Sequence, residues 1–183
     1  PQARVYGFEQ KRSTAALAEQ NVSLNKLDHR ITILNEDILN LRKHLPVSCT
    51  DLVVSNPPYR QQGRGRLNPH PDKLSARHET TATLEDFLAA AKYLVKPVTG
   101  RICMIYHSSR LAELLVSAAG LKLSPLRLRL VHGLPEADAK VFLVELAKAR
   151  NNVDLEVLPP LIVRSDSDNY TDEVHRILTG FHP

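Results

Sequence analysis

Short apolar runs alternate with longer amphipathic stretches from the start of the chain to Gly120. The apolar runs at 3–8, 31–34, 51–55 and 101–106 have strand length and carry β-branched or aromatic residues. The stretches between them predict a helix at about 13–25, a short helix that ends near His44, and further helices at about 84–95 and 110–119. In the first helix the candidate inner residues are Ala16, Leu17, Val22 and Leu24. This alternation predicts βαβ units and a mostly parallel sheet in an α/β fold.

The pattern changes after Gly120. Residues 126–131 and 141–146 both read as strands, and the connection between them is too short for a crossover helix. They are therefore expected to form an antiparallel hairpin that closes one edge of the sheet. The tail is expected to be extended until a short terminal helix, which Thr171 can cap while Asp172 and Glu173 lie in its first turn.

The residues after the third predicted strand, Asn56-Pro57-Pro58-Tyr59, carry the clearest chemical signal. Two prolines prevent the strand from continuing, because each fixes φ and lacks an N–H. The Asn56 amide oxygen and the Pro57 carbonyl are therefore held at the carboxyl end of a strand, where open α/β sheets bind ligands. Such a pair of acceptors suits a substrate amino group, and the ring of Tyr59 can stack on a planar base.

Basic side chains cluster in the loop that follows. The net charge is only +4 and the pI about 9.2, so the distribution of charge matters more than its total. A basic loop beside a base-sized pocket favours contacts with nucleic-acid phosphates, although a solvated surface loop has the same composition. The candidate RNA-binding residues are Arg60, Arg64, Arg66, Lys73 and Arg77.

Several classes of protein are disfavoured by composition. No apolar run approaches the ~20 residues of a membrane span, and the N-terminus has no signal-peptide core. The two cysteines, Cys49 and Cys103, are too few for a disulfide framework, and the histidines show no metal-ligand spacing. Residues 1–183 are expected to form a single cytoplasmic domain without metal.

The tetrapeptide at 56–59 resembles the signature of the AdoMet-dependent amino-methyltransferases, which methylate adenine N6, cytosine N4 or a glutamine side chain. This resemblance implies a Rossmann-like class I fold and S-adenosyl-L-methionine (AdoMet) as cofactor. Glu9, which ends the first strand, is then placed to accept hydrogen bonds from the ribose hydroxyls. Asp37 and the Ile38 N–H follow the second strand and can meet the adenine ring, while Asn56 lies beside the transferred methyl group.

One part that such folds normally carry is not found. A Gly-rich turn after a strand usually lets the backbone approach the donor's amino-acid portion. Here Pro1 leads directly into what resembles the second strand. The sequence therefore predicts an N-terminally incomplete domain that lacks the first strand and binds AdoMet weakly by itself.

From Glu9 onward the chain resembles the bacterial tRNA-valine adenine-N6 methyltransferases. The resemblance implies methyl transfer to the exocyclic N6 of an adenine in RNA, most simply tRNA. A glutamine N5-methyltransferase, a methyltransferase of ribosomal RNA or DNA bases, and an inactive RNA-binding fragment remain alternatives. The resemblance is carried by Glu9-Gln10, 21–25, Arg30-Ile31, Asp37, 56–59, 79–81, 83–86, 110–114 and the tail 169–173.

Overall fold

The computed structural model describes residues 3–58, 82–148 and 153–180. It divides into two compact units, Pro1–Val47 and Ser48–Pro183. The expectation of a single methyltransferase domain over 1–183 stays a prediction. In the first unit the elements are β1 (Val5–Phe8), α1 (Arg12–Leu24), β2 (Ile31–Leu34) and a 3₁₀ helix (Ile38–Lys43).

The second unit contains the remaining strands and helices. In order they are β3 (Leu52–Ser55), α2 (Leu84–Leu94), β4 (Arg101–His107), a 3₁₀ turn (Ser108–Arg110), α3 (Leu111–Gly120), β5 (Leu123–His132), β6 (Ala139–Lys148), β7 (Glu156–Val157), β8 (Leu161–Ile162) and α4 (Asp172–Thr179). Every helix and strand expected from the sequence is present among these elements. The two-residue strands β7 and β8 were not expected.

The first unit is a βαβ arrangement. Strands β1 and β2 are parallel, with Val5 opposite Ile31 and Phe8 opposite Leu34. Helix α1 connects them and buries Ala15. The expected inner face of α1 is wrong for Ala16, Leu17 and Leu24, which are exposed (Leu17 57% and Leu24 79%), whereas Val22 is half-buried. A two-stranded sheet is narrow, so it covers only the part of the helix around Ala15.

The second unit is built on a six-stranded sheet in the order β3-β4-β6-β5-β7, with β8 also paired to β5. Strand β4 is parallel to β3, and β6 runs antiparallel to both β4 and β5. The mostly parallel α/β fold and the antiparallel hairpin are therefore confirmed. In one detail the structure differs, since β6 lies between β4 and β5 and not at an edge. Pairing on both sides suits β6, whose Phe142, Val144 and Leu146 are all buried.

One face of this sheet carries the core. Inward-facing residues alternate along β4, where Ile102, Met104 and Tyr106 are at most 2% exposed. Helix α2 covers them with Leu88, and α3 with Leu114, both fully buried. A capping box fixes the start of α2, since the Thr83 and Asp86 side chains each accept from the other's backbone N–H.

The end of the chain matches the expected terminal helix. Helix α4 starts after Thr171, whose hydroxyl accepts from the Val174 N–H and donates to the Ile162 carbonyl. Within the described residues, no helix has both the length and the apolarity needed to cross a membrane.

Candidate active site

Two of the predicted acids lie at the carboxyl ends of neighbouring strands in the first unit. Glu9 follows β1, and its backbone N–H extends the sheet by donating to the Leu34 carbonyl at 3.0 Å. Its side-chain Oε1 accepts from the Lys11 N–H at 2.8 Å, which fixes the carboxylate. Asp37 follows β2 and caps the 3₁₀ helix, with Oδ1 accepting from the Leu39 N–H at 2.9 Å. Parallel pairing brings both acids to the same sheet edge, as predicted.

Side-chain amides tie these two loops together. The Asn35 amide donates to the backbone carbonyls of Glu9 and Gln10 at 2.9 and 3.0 Å. The Gln10 amide donates to Asp37 Oδ2 at 3.0 Å. The two carboxylates are therefore held as one preorganised edge, which lowers the entropy that a ligand must remove on binding.

Glu36 supports the same edge through hydrogen bonds, and it was not among the site residues predicted from the sequence. Its Oε1 accepts from the Asp37 N–H and from the Asn40 amide, both at 2.9 Å. His44 Nε2 lies 3.3 Å from Oε2. The Asn40 hydrogen bond, followed by the Asp37 and His44 contacts, holds the pKa of Glu36 below its usual range. The polar run 35–37 directly after a strand was the available signal.

The hydrogen-bonding groups expected to bind AdoMet are present at this edge. Glu9 Oε2 has no hydrogen bond to any described residue and can accept from ribose hydroxyls. The Ile38 N–H opens the 3₁₀ helix, where the first amides lack intrahelical acceptors. Asp37 is half-buried beside it and keeps lone pairs for an adenine amino group. Acceptors and a donor are thus present in the pattern that adenosine requires.

In the second unit β3 ends at Ser55 and the chain leaves the sheet at Asn56. Asn56 is exposed, whereas Pro57 is among the fully buried side chains and Pro58 is exposed again. The buried Pro57 ring anchors the turn, and its fixed φ limits how far the carbonyl can reorient. A polar amide therefore lies at the surface beside a buried proline, and its role in binding a substrate amine stays a prediction.

The neighbouring strand end is braced by an ion pair that was not assigned a role from sequence. Ser55 is in register with Met104, so the Asn56–Pro58 turn runs beside the last residues of β4. Arg110 donates to the hydroxyl of fully buried Tyr106 and forms a two-pronged pair with Glu113, with Nε to Oε2 at 2.7 Å. The Arg110 guanidinium holds the pKa of Glu113 below its usual range. Their i, i+3 spacing on a predicted helix was the signal.

Part of the predicted site lies outside the described residues. Tyr59 and the basic candidates Arg60, Arg64, Arg66, Lys73 and Arg77 all fall in 59–81. In the ranges that the structure describes, no group of three or more His, Cys, Asp or Glu side chains is arranged to hold a metal ion. Both cysteines are unpaired thiols, and burial raises the pKa of Cys103.

The chain is similar to known methyltransferases. The family model "N-6 DNA Methylase" matches residues 1–113. The chain is 25% identical to the tRNA1(Val) (adenine(37)-N6)-methyltransferase of Aeromonas salmonicida over 93% of this chain and 68% of that protein. It is 32% identical to the MTRF1L release factor glutamine methyltransferase of Homo sapiens, over 52% of this chain and 31% of that one.

A similar fold occurs in a solved structure. The crystal structure of a predicted O-methyltransferase, protein Atu636 of Agrobacterium tumefaciens, superposes with a TM-score of 0.75 at 22% identity. The match covers 97% of this chain and 78% of that protein. This likeness confirms the Rossmann-like class I fold that the resemblance at 56–59 implied.

Proposed function

Because the chain belongs to the N-6 DNA methylase family, we propose that it transfers a methyl group to the exocyclic N6 amine of an adenine in RNA, and that this RNA is a tRNA. The enzyme class is a methyltransferase, and AdoMet is its methyl donor. The proposed substrate places the activity in the cytoplasm. The finer choice of tRNA follows the relatives that methylate adenine 37 of tRNA1(Val).

The observation that carries the proposal is the turn at the end of β3. Asn56 is exposed at the carboxyl end of a parallel strand, and buried Pro57 anchors it. An amide oxygen and a backbone carbonyl are acceptors only, so together they select a group that donates two hydrogen bonds. An exocyclic NH2 is such a group, whereas a hydroxyl offers one hydrogen.

The same two acceptors explain how the adenine N6 amine becomes reactive. The adenine N6 lone pair is delocalised into the ring, and the amine is a weak nucleophile in that planar form. Hydrogen bonds from both N–H groups to Asn56 Oδ1 and the Pro57 carbonyl favour the pyramidal form and orient the lone pair. AdoMet, when bound, supplies an electrophilic methyl group on its sulfonium. Holding the amine at a fixed position provides much of the remaining rate acceleration.

We assign Glu9, Asp37 and Ile38 to binding of the donor's adenosine, and Asn56 to contact with its methyl group. Glu9 holds the ribose through its carboxylate, and Asp37 and the Ile38 N–H contact the adenine of the donor. The link from Asn35 and Gln10 keeps the loops of Glu9 and Asp37 in register, which preorganises the edge before the donor arrives.

The RNA contacts are assigned to the residues that follow the turn. Tyr59 stacks on the target base after that base leaves its own stack, a step that costs less in a loop than in a duplex. Lysine and arginine then bind phosphates and position the RNA without reading its sequence. The residues proposed for this role are Arg60, Arg64, Arg66, Lys73 and Arg77.

The test is methyl transfer from labelled AdoMet to transcribed tRNA1(Val), with wild-type chain and with Asn56→Ala. We expect the variant to lose at least about 100-fold in rate, the scale of losing one oriented polar group in an active site. AdoMet affinity should change only a few-fold. Asn21→Ala is the matched control, because Asn21 is an exposed asparagine on α1. Turnover retained in Asn56→Ala would refute the assignment of the turn.

A second function has a specific observation behind it, namely the similarity to the human glutamine methyltransferase. A glutamine side chain also presents an NH2 group that the same two acceptors could hold. Offering release factor and tRNA in parallel reactions separates the two functions. Label in the protein substrate alone would favour the glutamine activity, and RNA binding without transfer would favour an inactive RNA-binding chain. Transfer to duplex DNA or ribosomal RNA in preference to tRNA would shift the substrate within the same chemistry.

A further inference from the structure

The tail motif 169–173 is not used by the donor site or by the amine site, yet it is built as a rigid loop. Asp166 accepts from the N–H groups of Asp168 and Asn169, both at 2.9 Å, and from the Asn169 amide. These hydrogen bonds hold the pKa of Asp166 below its usual range. The Ser165 N–H donates to the Asn169 carbonyl at 3.1 Å, which closes the loop.

Both ends of the loop are anchored to the sheet. The Arg164 N–H donates to the Gly133 carbonyl at 3.0 Å, and the Thr171 N–H to the Val163 carbonyl at 3.1 Å. Glu173 pairs with Arg129 of β5, with Nη1 to Oε1 at 2.7 Å. Two of the five motif residues, Thr171 and Glu173, are thus accounted for by anchoring, and Asn169 by the loop.

Tyr170 is a motif residue that anchoring does not explain, because it is 40% exposed. Its backbone forms an antiparallel bridge with Arg164. The Arg164 guanidinium lies over the ring, 5.3 Å from its centroid, and is itself held by the Ser167 carbonyl at 2.6 Å. His175 meets the ring edge-on at 5.9 Å and 83°. An exposed aromatic ring is therefore fixed in orientation before any partner binds.

The position of this ring relates it to the amine site within the same unit. Strand β8 is parallel to β5, and β5 runs in the same direction as β4 and β3, so all four end at one edge of the sheet. From β3 to β8 there are four strand spacings, or about 19 Å at about 4.8 Å each. A few nucleotides of single-stranded RNA span that distance.

The negative charge around this loop favours binding of a nucleobase over binding of an RNA phosphate. Asp166, Asp168 and Asp172 lie in or beside the loop, and their carboxylates disfavour a phosphate there. A planar base is not repelled in this way. It stacks on an aromatic ring, and a nearby guanidinium adds hydrogen-bonding and stacking capacity.

We propose that Tyr170, backed by Arg164, is a stacking platform for a nucleobase that flanks the target adenine. This inference rests on the proposed function, since it requires an RNA substrate. It assigns Tyr170 a role in RNA affinity and positioning, separate from the methyl-transfer step at Asn56.

The experiment is a protein–RNA double-mutant cycle with the full chain. The probes are anticodon hairpins of tRNA1(Val), intact or lacking one base beside adenine 37. Tyr170→Ala should raise the dissociation constant for the intact hairpin about tenfold, the usual scale for losing one stacked base. Tyr170→Phe should stay within about twofold, because the ring is kept. Tyr6→Ala is the matched control, since Tyr6 is a 44% exposed tyrosine in the other unit.

The cycle identifies the stacked base. One abasic hairpin should weaken wild-type binding about tenfold and the Tyr170→Ala variant less than twofold. Equal penalties in both proteins for every abasic position would overturn the platform, as would a Phe variant as weak as the Ala variant. Methylation of tRNA with unchanged affinity in Tyr170→Ala would overturn the platform alone. A folded wild-type chain that neither binds nor methylates the tRNA would overturn the proposed function and the platform together.

Discussion

Replacing Arg110 by Ala should destabilise the second unit markedly, because one guanidinium supports two partners at the end of β4. Tyr106 is 0% exposed, and its hydroxyl accepts from Arg110. Losing a hydrogen bond from a charged donor to a buried hydroxyl costs about 1.5–3 kcal/mol. The pair with Glu113, whose side chain is 40% exposed, adds about 0.5 kcal/mol. The expected loss in free energy of unfolding is about 2–3.5 kcal/mol.

Thermal and urea unfolding followed by circular dichroism measure this loss. For a chain of this size, about 2–3.5 kcal/mol corresponds to roughly 4–14 °C in Tm. Arg110→Lys should lose about half as much, since lysine keeps the charge but not the planar fork. Arg12→Ala, an exposed arginine of α1, is the control and should change stability by less than about 0.5 kcal/mol. If Arg110→Ala is no less stable than Arg12→Ala, the bracing role is wrong.

Two further predictions concern the donor edge and the response to acid. Glu9→Ala should weaken AdoMet binding about 10- to 100-fold in calorimetric titration, because hydrogen bonds to a carboxylate contribute about 1.5–3 kcal/mol. Glu19→Ala is the control and should leave AdoMet affinity unchanged, because Glu19 is exposed on α1. Equal affinities in the two variants would contradict the assignment of Glu9 to the ribose. Folding lowers the pKa values of three glutamates, chiefly through hydrogen bonds from one partner each: Glu36 from Asn40, Glu113 from Arg110 and Glu173 from Arg129. The ionised glutamates therefore stabilise the folded chain at pH values above the ordinary Glu range. This stabilisation is lost as pH falls through their folded pKa values. Urea midpoints should therefore drop as pH is lowered below about 4, and a midpoint that rises on acidification would contradict this.

The order of elements could be predicted from the sequence because hydrophobic periodicity and Pro or Gly stops are local signals. The end of β3 at Ser55 followed from two prolines, and the end of α3 from Gly120. The inner face of α1 could not be predicted in the same way. Leu17 and Leu24 look like core residues in any helical projection, but burial depends on how wide a sheet the helix meets.

The candidate site was predictable to the extent that it depends on strand ends. The positions of Glu9 and Asp37 could be predicted because an acid that follows a parallel strand lies at the carboxyl edge of the sheet, and their role in binding AdoMet stays a prediction. The supports around them depend on contacts between residues distant in sequence, such as Asn35 with Glu9 and Gln10, which are 26 and 25 positions away. Arg110 and Tyr106 are close in sequence, but only the burial of the tyrosine hydroxyl makes their contact important.

The central proposal is that this chain methylates adenine N6 in RNA. The most direct measurement is mass spectrometry of nucleosides from tRNA1(Val) incubated with the chain and deuteriomethyl-labelled AdoMet. We predict labelled N6-methyladenosine with the wild-type chain, formed at least about 100-fold more slowly with Asn56→Ala. Label on any other nucleoside position, or label only in a release-factor glutamine offered in parallel, would contradict it.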